Sequence, residues 1–212
     1  MNENEPYALA QSVEKERRLG LLDRAHMKPL AEFVAAMRLA NADKYIPHFD
    51  SCDGGITARV LFLLEAPGPQ TMKSGFVSCN NTDQTARNMH ALITNAGIKR
   101  PEVAFWNIVP WYVGDGERIR PVNNNDLNES LHYTKQLLAL LPRLQLVVLV
   151  GKKAQAATAV LRRVTNLPFV ATYHPSPQVF NISPAKKRQT QEAFNSIGAW
   201  LQNEDFEYSN SE

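Results

Sequence analysis

The chain has 212 residues, 44% of them hydrophobic, two cysteines, and 23 Lys and Arg against 21 Asp and Glu. This suits one globular domain and excludes wholesale disorder, a disulfide framework and, because the longest apolar run (residues 144–151) is short, a bilayer-spanning helix. The net charge of +2 hides an uneven distribution: −2 over residues 1–129 (14 basic, 16 acidic), +9 over residues 130–191 (no acidic residue) and −5 over residues 192–212.

In chain order, residues 1–6 lack the basic-then-apolar pattern of a signal peptide, and with only Cys52 and Cys79 present a reducing, cytoplasmic compartment is expected. Residues 7–45 carry helical periodicity in Leu19, Leu22, Leu30, Phe33, Val34, Met37 and Leu39, with Pro29 opening a second helix. Residues 50–55 read as a loop. Residues 59–64 form a continuous apolar strand ending in Glu65-Ala66-Pro67-Gly68. An amphipathic helix over 84–96 closes at Gly97, and a second strand over 103–109 stops at Pro110. A helix runs from 125 to about 141. The third strand, 146–150, leads through Gly151 into an alanine-rich helix to about 164. The fourth strand, 169–173, precedes His174-Pro175-Ser176-Pro177, and a long helix over 185–201 closes the domain.

Strands that are apolar throughout belong to a sheet buried on both faces, as in parallel sheets covered by helices. The expected fold is therefore α/β, a three-layer α/β/α sandwich with a four-stranded, mainly parallel sheet. Residues 1–55 form a helical extension and loop, 56–202 the α/β domain, and 203–212 an acidic tail. Ligands of such sheets bind beyond the carboxyl ends of the strands. Glu65 to Gly68, Asn107, Gly151 and His174 all fall at those ends.

These residues resemble the uracil-DNA glycosylase superfamily over about residues 59–201. The resemblance rests on Leu64-Glu65-Ala66-Pro67-Gly68, Gly75-Phe76-Val77, Asn107 in Trp106-Asn107-Ile108-Val109-Pro110, Leu149-Val150-Gly151-Lys152-Lys153-Ala154, and His174-Pro175-Ser176-Pro177. Their order is most similar to the iron–sulfur branch, whose first motif is Gly-Glu-Ala-Pro-Gly. That branch needs four cysteine ligands and this chain has two. Leu64 replaces the motif's first Gly, and Ala66 stands where other branches carry a water-orienting Asp or Asn.

The resemblance implies a monofunctional, metal-independent DNA glycosylase that flips out uracil or a related deaminated base and leaves an abasic site. It implies no cofactor, a monomer, DNA as partner and, in a bacterium, a place at the nucleoid. Phe76 would stack the base, an ordinary core aromatic being the alternative. Asn107 can offer uracil one acceptor and two donors; an Asn capping the strand end is its other reading. Ala66, Pro67 and Gly68 complete the base pocket. His174 would donate to the base oxygen as negative charge develops there. Glu65 is the first candidate for water activation and Asp83 the second, with a carboxylate tied to backbone N–H groups as the alternative for Glu65. Gly151, Lys152, Lys153 and Ser176 would hold phosphates. With Pro177 stiffening the loop, Gln178, Val179 or Phe180 would fill the space of the expelled base. Lys186, Lys187 and Arg188 would meet nearby phosphates, cations at a helix start being unfavourable without an anion. No metal-ligand spacing links His26, His48, His90, His132 and the cysteines. Two rivals stay open: a non-catalytic DNA-binding protein of this fold, and a hydrolase of free nucleosides or nucleotides.

Overall fold

A computed structural model describes residues 5–114 and 119–203; the expected acidic tail lies outside them beyond Asn203. The helices are α1 (Ser12–Gly20), α2 (Lys28–Ala40), α3 (Pro69–Ser74), α4 (Gln84–Asn95), α5 (Asn124–Ala139), α6 (Lys152–Ala156), α7 (Thr158–Leu161), α8 (Pro177–Phe180) and α9 (Pro184–Gln202). The strands are β1 (His48–Phe49), β2 (Val60–Leu64), β3 (Phe76–Val77), β4 (Val103–Asn107), β5 (Leu146–Val150) and β6 (Phe169–Thr172). The main sheet has the order β4-β2-β5-β6 and every pair in it is parallel. A second, two-stranded parallel sheet joins β1 to β3.

Three layers follow from which side chains meet. On one face of the main sheet Phe62 stacks on Phe194 of α9, with ring centroids 5.1 Å apart. Helix α9 lies so close to the end of α4 that a Cβ at Gly198 would meet the Ala96 carbonyl oxygen at 1.9 Å. On the other face Trp106 stacks flat on Phe49 at 3.7 Å and Trp111 meets Tyr133 of α5 edge-on at 6.2 Å. Consecutive residues of β4, Phe105 and Trp106, thus serve opposite layers, as the two-residue period of a strand requires. β2 and β5 are buried almost throughout, Leu64 alone being half-buried, which is why their sequences are apolar without alternation.

The helical extension shares this core. Leu30, Phe33, Val34 and Met37 of α2 are buried, whereas Leu19 and Leu39, counted in the same periodicity, are exposed. Pro29 does lie in the first turn of α2. The loop over 50–55 takes part in a buried polar cluster. Arg18 of α1 pairs with Asp50, which also accepts from Ser78 and from Arg100 at 2.9 Å; Arg100 further pairs with Asp53 and donates to Asn80 at 2.6 Å. Burial pushes the Asp50 carboxyl up, but the Arg100 and Arg18 guanidiniums outweigh it and hold it below the usual carboxylate range. Asp53 goes the other way, to about 7, because burial outweighs Arg100 and Asp50 adds repulsion. No helix among the described residues is long and apolar enough to cross a membrane.

Several boundaries differ from expectation. The second strand ends at Asn107, since Ile108 and Val109 turn their N–H groups to the carbonyls of Leu64 and Glu65. The helix after Gly151 is broken into two pieces of five and four residues. Helix α5 starts at Asn124, where Asn123 and Asp126 form a reciprocal capping box.

Candidate active site

A cavity of about 460 Å³ opens beyond the carboxyl ends of β2 and β4, a normal size for a small-molecule site. Ala66 and Gly68 come from the turn after β2, Asn107 from the last position of β4, and His174 from the turn after β6. Asp83, at the start of α4, and Pro177 and Gln178, at the start of α8, complete the side where these turns meet. The parallel sheet produces this convergence: every strand delivers its carboxyl end to the same rim.

Asn107 is buried, and its amide has no hydrogen-bond partner among the described residues. That leaves its donors and acceptor available to whatever enters. His174 packs against Gly151, which adopts φ +86°. Burial lowers the His174 pKa, with the carboxylates of Glu65 and Asp83 pulling weakly the other way. Its imidazole is therefore neutral at neutral pH and presents one N–H. The turn carrying it is anchored by Asn88 of α4, whose Nδ2 donates to the Pro175 carbonyl at 2.7 Å.

Glu65 does not line the cavity. Its Oε1 accepts the N–H of Val122 at 3.3 Å, while Lys153 donates to the Val122 carbonyl at 2.7 Å. The two charged side chains thus clasp one residue, through its N–H and its carbonyl, in the loop that carries Ile119, itself on the cavity wall and 49% exposed. Asp83 is the carboxylate on the wall; its Oδ1 caps α4 by accepting the Ala86 N–H at 2.9 Å. Among the residues lining the cavity there is no lysine.

Phe76 stands elsewhere than expected. It is fully buried in β3 with its ring 6.0 Å from that of His48, and its neighbour Val77 lines the cavity instead. Pro67 is buried behind the wall formed by Ala66 and Gly68. Phe180 and Val179 also require correction as candidates for the wedge: Phe180 is buried in the core and Val179 packs against it. The four residues of α8 turn this apolar pair inward, so Gln178 and Ile182 remain outside, Ile182 at 79% exposure. Ser176 makes no side-chain cap on α8. Lys152, Lys187 and Arg188 are exposed. Lys186 lies 5.4 Å above the ring of Tyr173. Gly151 precedes only five helical residues, so little macrodipole stands behind a phosphate placed there.

The sequence profile of the Uracil DNA glycosylase superfamily matches residues 52–198, more than half of the chain. The chain belongs to this superfamily. Among solved structures, one from Methanosarcina acetivorans, determined by solution NMR and named provisionally as a uracil DNA glycosylase, is similar at 14% identity and a TM-score of 0.45. The similarity covers 67% of this chain and 94% of that one. No curated protein matches.

Membership in the glycosylase superfamily does not bring the iron–sulfur cluster of the branch with the most similar motifs. Cys52 and Cys79 are unpaired thiols, pushed up to about 11 and about 12 by burial, and no group of His, Cys, Asp or Glu among the described residues is arranged to hold a metal. The donor set does not fit a cluster. Sequence reasoning also missed Asn81, Thr71 and Ile119 on the cavity wall. Nothing in the sequence marked them: Asn81 stands in the polar run Ser78 to Thr85, and its burial becomes evident only in the fold.

Proposed function

We propose that the protein is a monofunctional DNA glycosylase that extrudes uracil or a related deaminated base and hydrolyses its glycosidic bond, leaving an abasic site. The observation that carries this reading is that Asn107 and a neutral His174 line one cavity at the carboxyl ends of the sheet. The Asn107 amide can pair with the edge of an extruded base. As the bond breaks, negative charge grows on the base oxygen, and the N–H of His174 stabilises it without a proton having to move. A neutral donor is suited to this, because an imidazolium would bind anions in the ground state as well.

Asp83 is assigned the water, since it is the carboxylate on the cavity wall, with one oxygen committed to the helix cap. Glu65 acts through its negative field near the sugar cation and by holding Val122. The absence of lysine from the lining favours hydrolysis over Schiff-base chemistry. DNA would be gripped by Lys152, Lys187 and Arg188, with Ile182 and Gln178 offered to the gap left by the base.

The deciding experiment incubates the protein, in chelator, with oligonucleotides carrying uracil, hypoxanthine or xanthine, single- and double-stranded, and reveals abasic sites with alkali. Release is expected, and His174→Ala and Asn107→Ala should abolish most of it. DNA binding without release at enzyme excess overturns the catalytic reading in favour of a DNA-binding protein. Release from free nucleosides but not from DNA assigns the cavity to a smaller substrate.

A further inference from the structure

Residues 78–83 join β3 to α4 without regular secondary structure, yet Ser78, Cys79, Asn81 and Asp83 of this segment line the cavity. Irregular backbone has no ladder of its own, so whatever packs behind it sets its shape. Here that backing is the N-terminal extension. Asn80 is fully buried, and each of its polar atoms is engaged. Its N–H donates to the Ser78 hydroxyl at 2.9 Å, and its carbonyl accepts the Leu9 N–H at 3.2 Å. Its Nδ2 donates to the Glu5 carbonyl at 2.6 Å, and its Oδ1 accepts from Arg18 at 3.3 Å and Arg100 at 2.6 Å. Arg18, equally buried, also reaches the Ser78 hydroxyl at 3.4 Å and pairs with Asp50. Two flanking contacts widen the grip. Lys15 donates to the Lys73 carbonyl at 3.2 Å, in the helix whose Gln70 lines the cavity, and the Arg87 guanidinium lies 5.8 Å from the Tyr7 ring.

Glu5, Tyr7, Leu9, Lys15 and Arg18 all precede residue 52, where the match to the superfamily profile begins. An apolar cover would shield the segment as well, and burying a guanidinium is costly. What directed hydrogen bonds add is a fixed position. We propose that Arg18 is a positioning residue for the cavity: through Asn80 and Ser78 it holds the wall segment that carries Asp83. The site is then completed by residues outside the part of the chain shared with the superfamily. The proposal rests on the glycosylase reading for the role of Asp83, and it gives the extension a part in the reaction.

The test uses the full chain and a reporter inside the segment. Cys79 is buried on the cavity wall, and Cys52→Ser makes it the sole thiol. In that background, its alkylation by iodoacetamide is followed by mass spectrometry, beside single-turnover release of uracil from DNA. Arg18→Met removes the hydrogen bonds while leaving Asp50 paired with Arg100 at 2.9 Å. It should raise the alkylation rate about tenfold, the effect of freeing one or two buried hydrogen bonds. Release should slow by roughly tenfold to a hundredfold, while affinity for undamaged duplex stays unchanged. Ile197→Ala, in the core beneath α9, is the control for lost stability and should alter neither rate comparably. Should Arg18→Met lose cooperative melting, Tyr7→Ala/Lys15→Ala, neither residue being fully buried, takes its place with the same readouts. Alkylation and release both at the level of the control overturn the proposal. So does faster alkylation with unaltered release, or slower release with unaltered alkylation. Equal alkylation rates in a protein that releases uracil sink this proposal alone. A wild type that releases no base sinks the glycosylase reading, whereas faster alkylation in the variant still upholds Arg18 as what holds the wall.

Discussion

Gly151 and His174 stand in direct contact, so close that a Cβ on Gly151 would lie 3.0 Å from the Cβ of His174. With φ at +86°, Gly151 also occupies backbone space that other residues enter only under strain. Gly151→Ala is therefore expected to cost about 1–3 kcal/mol of stability and to push the imidazole off its line. Displacement of a positioned catalytic group lowers kcat by roughly tenfold to a hundredfold. Thermal melting and single-turnover base release check the two effects separately; a variant that melts lower but releases base at the wild-type rate would show that the contact does not position His174.

The pH dependence of release follows from the same side chain. Burial holds the His174 pKa below the ordinary histidine value, so the ring is neutral at pH 7 and above. Base release should be flat from neutral to mildly alkaline pH and fall only as acid protonates the ring. His174→Gln keeps an N–H donor and should retain more activity than His174→Ala. The alanine variant should lose about 10²–10³ in rate, as for other donors to a developing oxyanion. A rate that rises as pH falls through 6 would point instead to an imidazolium as the active form.

The parallel sheet and its rim were legible because they depend on continuous apolar runs and on the residues that end them, Gly151 and Pro175 among them. What could not be read was pairing across distance. The extension is stitched to the domain by Asp50 and Arg100, 50 positions apart, and nothing local marks either as buried. β1 and β3 are two residues each, too short to show a period. Phe76 was read through its motif, and the second sheet, invisible in sequence, is what draws its ring away from the cavity. Glu65 was legible as a carboxylate at a strand end but not in direction, since Val122, which it clasps, lies 57 positions on.

Asp53 links that buried cluster to pH. Its carboxyl is raised to about 7 in the fold against an ordinary 3.8, so the native state binds the proton more tightly than the unfolded chain. The associated stability is complete below the unfolded value and is lost as pH rises from about 4 through 7. Asp53→Asn removes this dependence. Its melting temperature relative to wild type should therefore improve between pH 5 and pH 8, by about 3 °C for each 1 kcal/mol recovered. Asp50, lowered by its two arginines, works in the opposite sense and only below its ordinary range, so it does not mask the effect. Equal Tm differences at both pH values would mean that Asp53 is ionised throughout.

The face beyond His174 separates charge from shape. Lys187 and Arg188 are exposed at the start of α9, and Ile182, just before it, is the most exposed large apolar residue of this turn. Lysine and arginine grip phosphates, so Lys187→Ala/Arg188→Ala should weaken DNA binding on any sequence and flatten its dependence on log salt by roughly 1.8. Ile182 carries no charge and should leave that slope unchanged. Its expected effect appears only where a stacked duplex must be opened: Ile182→Ala should slow uracil release from double-stranded DNA and spare the single strand, since an apolar wedge offsets the cost of unstacking. Comparing the two substrates in one single-turnover series checks this. Equal losses on both would make Ile182 a general contact, and no loss on either would leave Gln178 as the only outward side chain of α8 able to fill the gap.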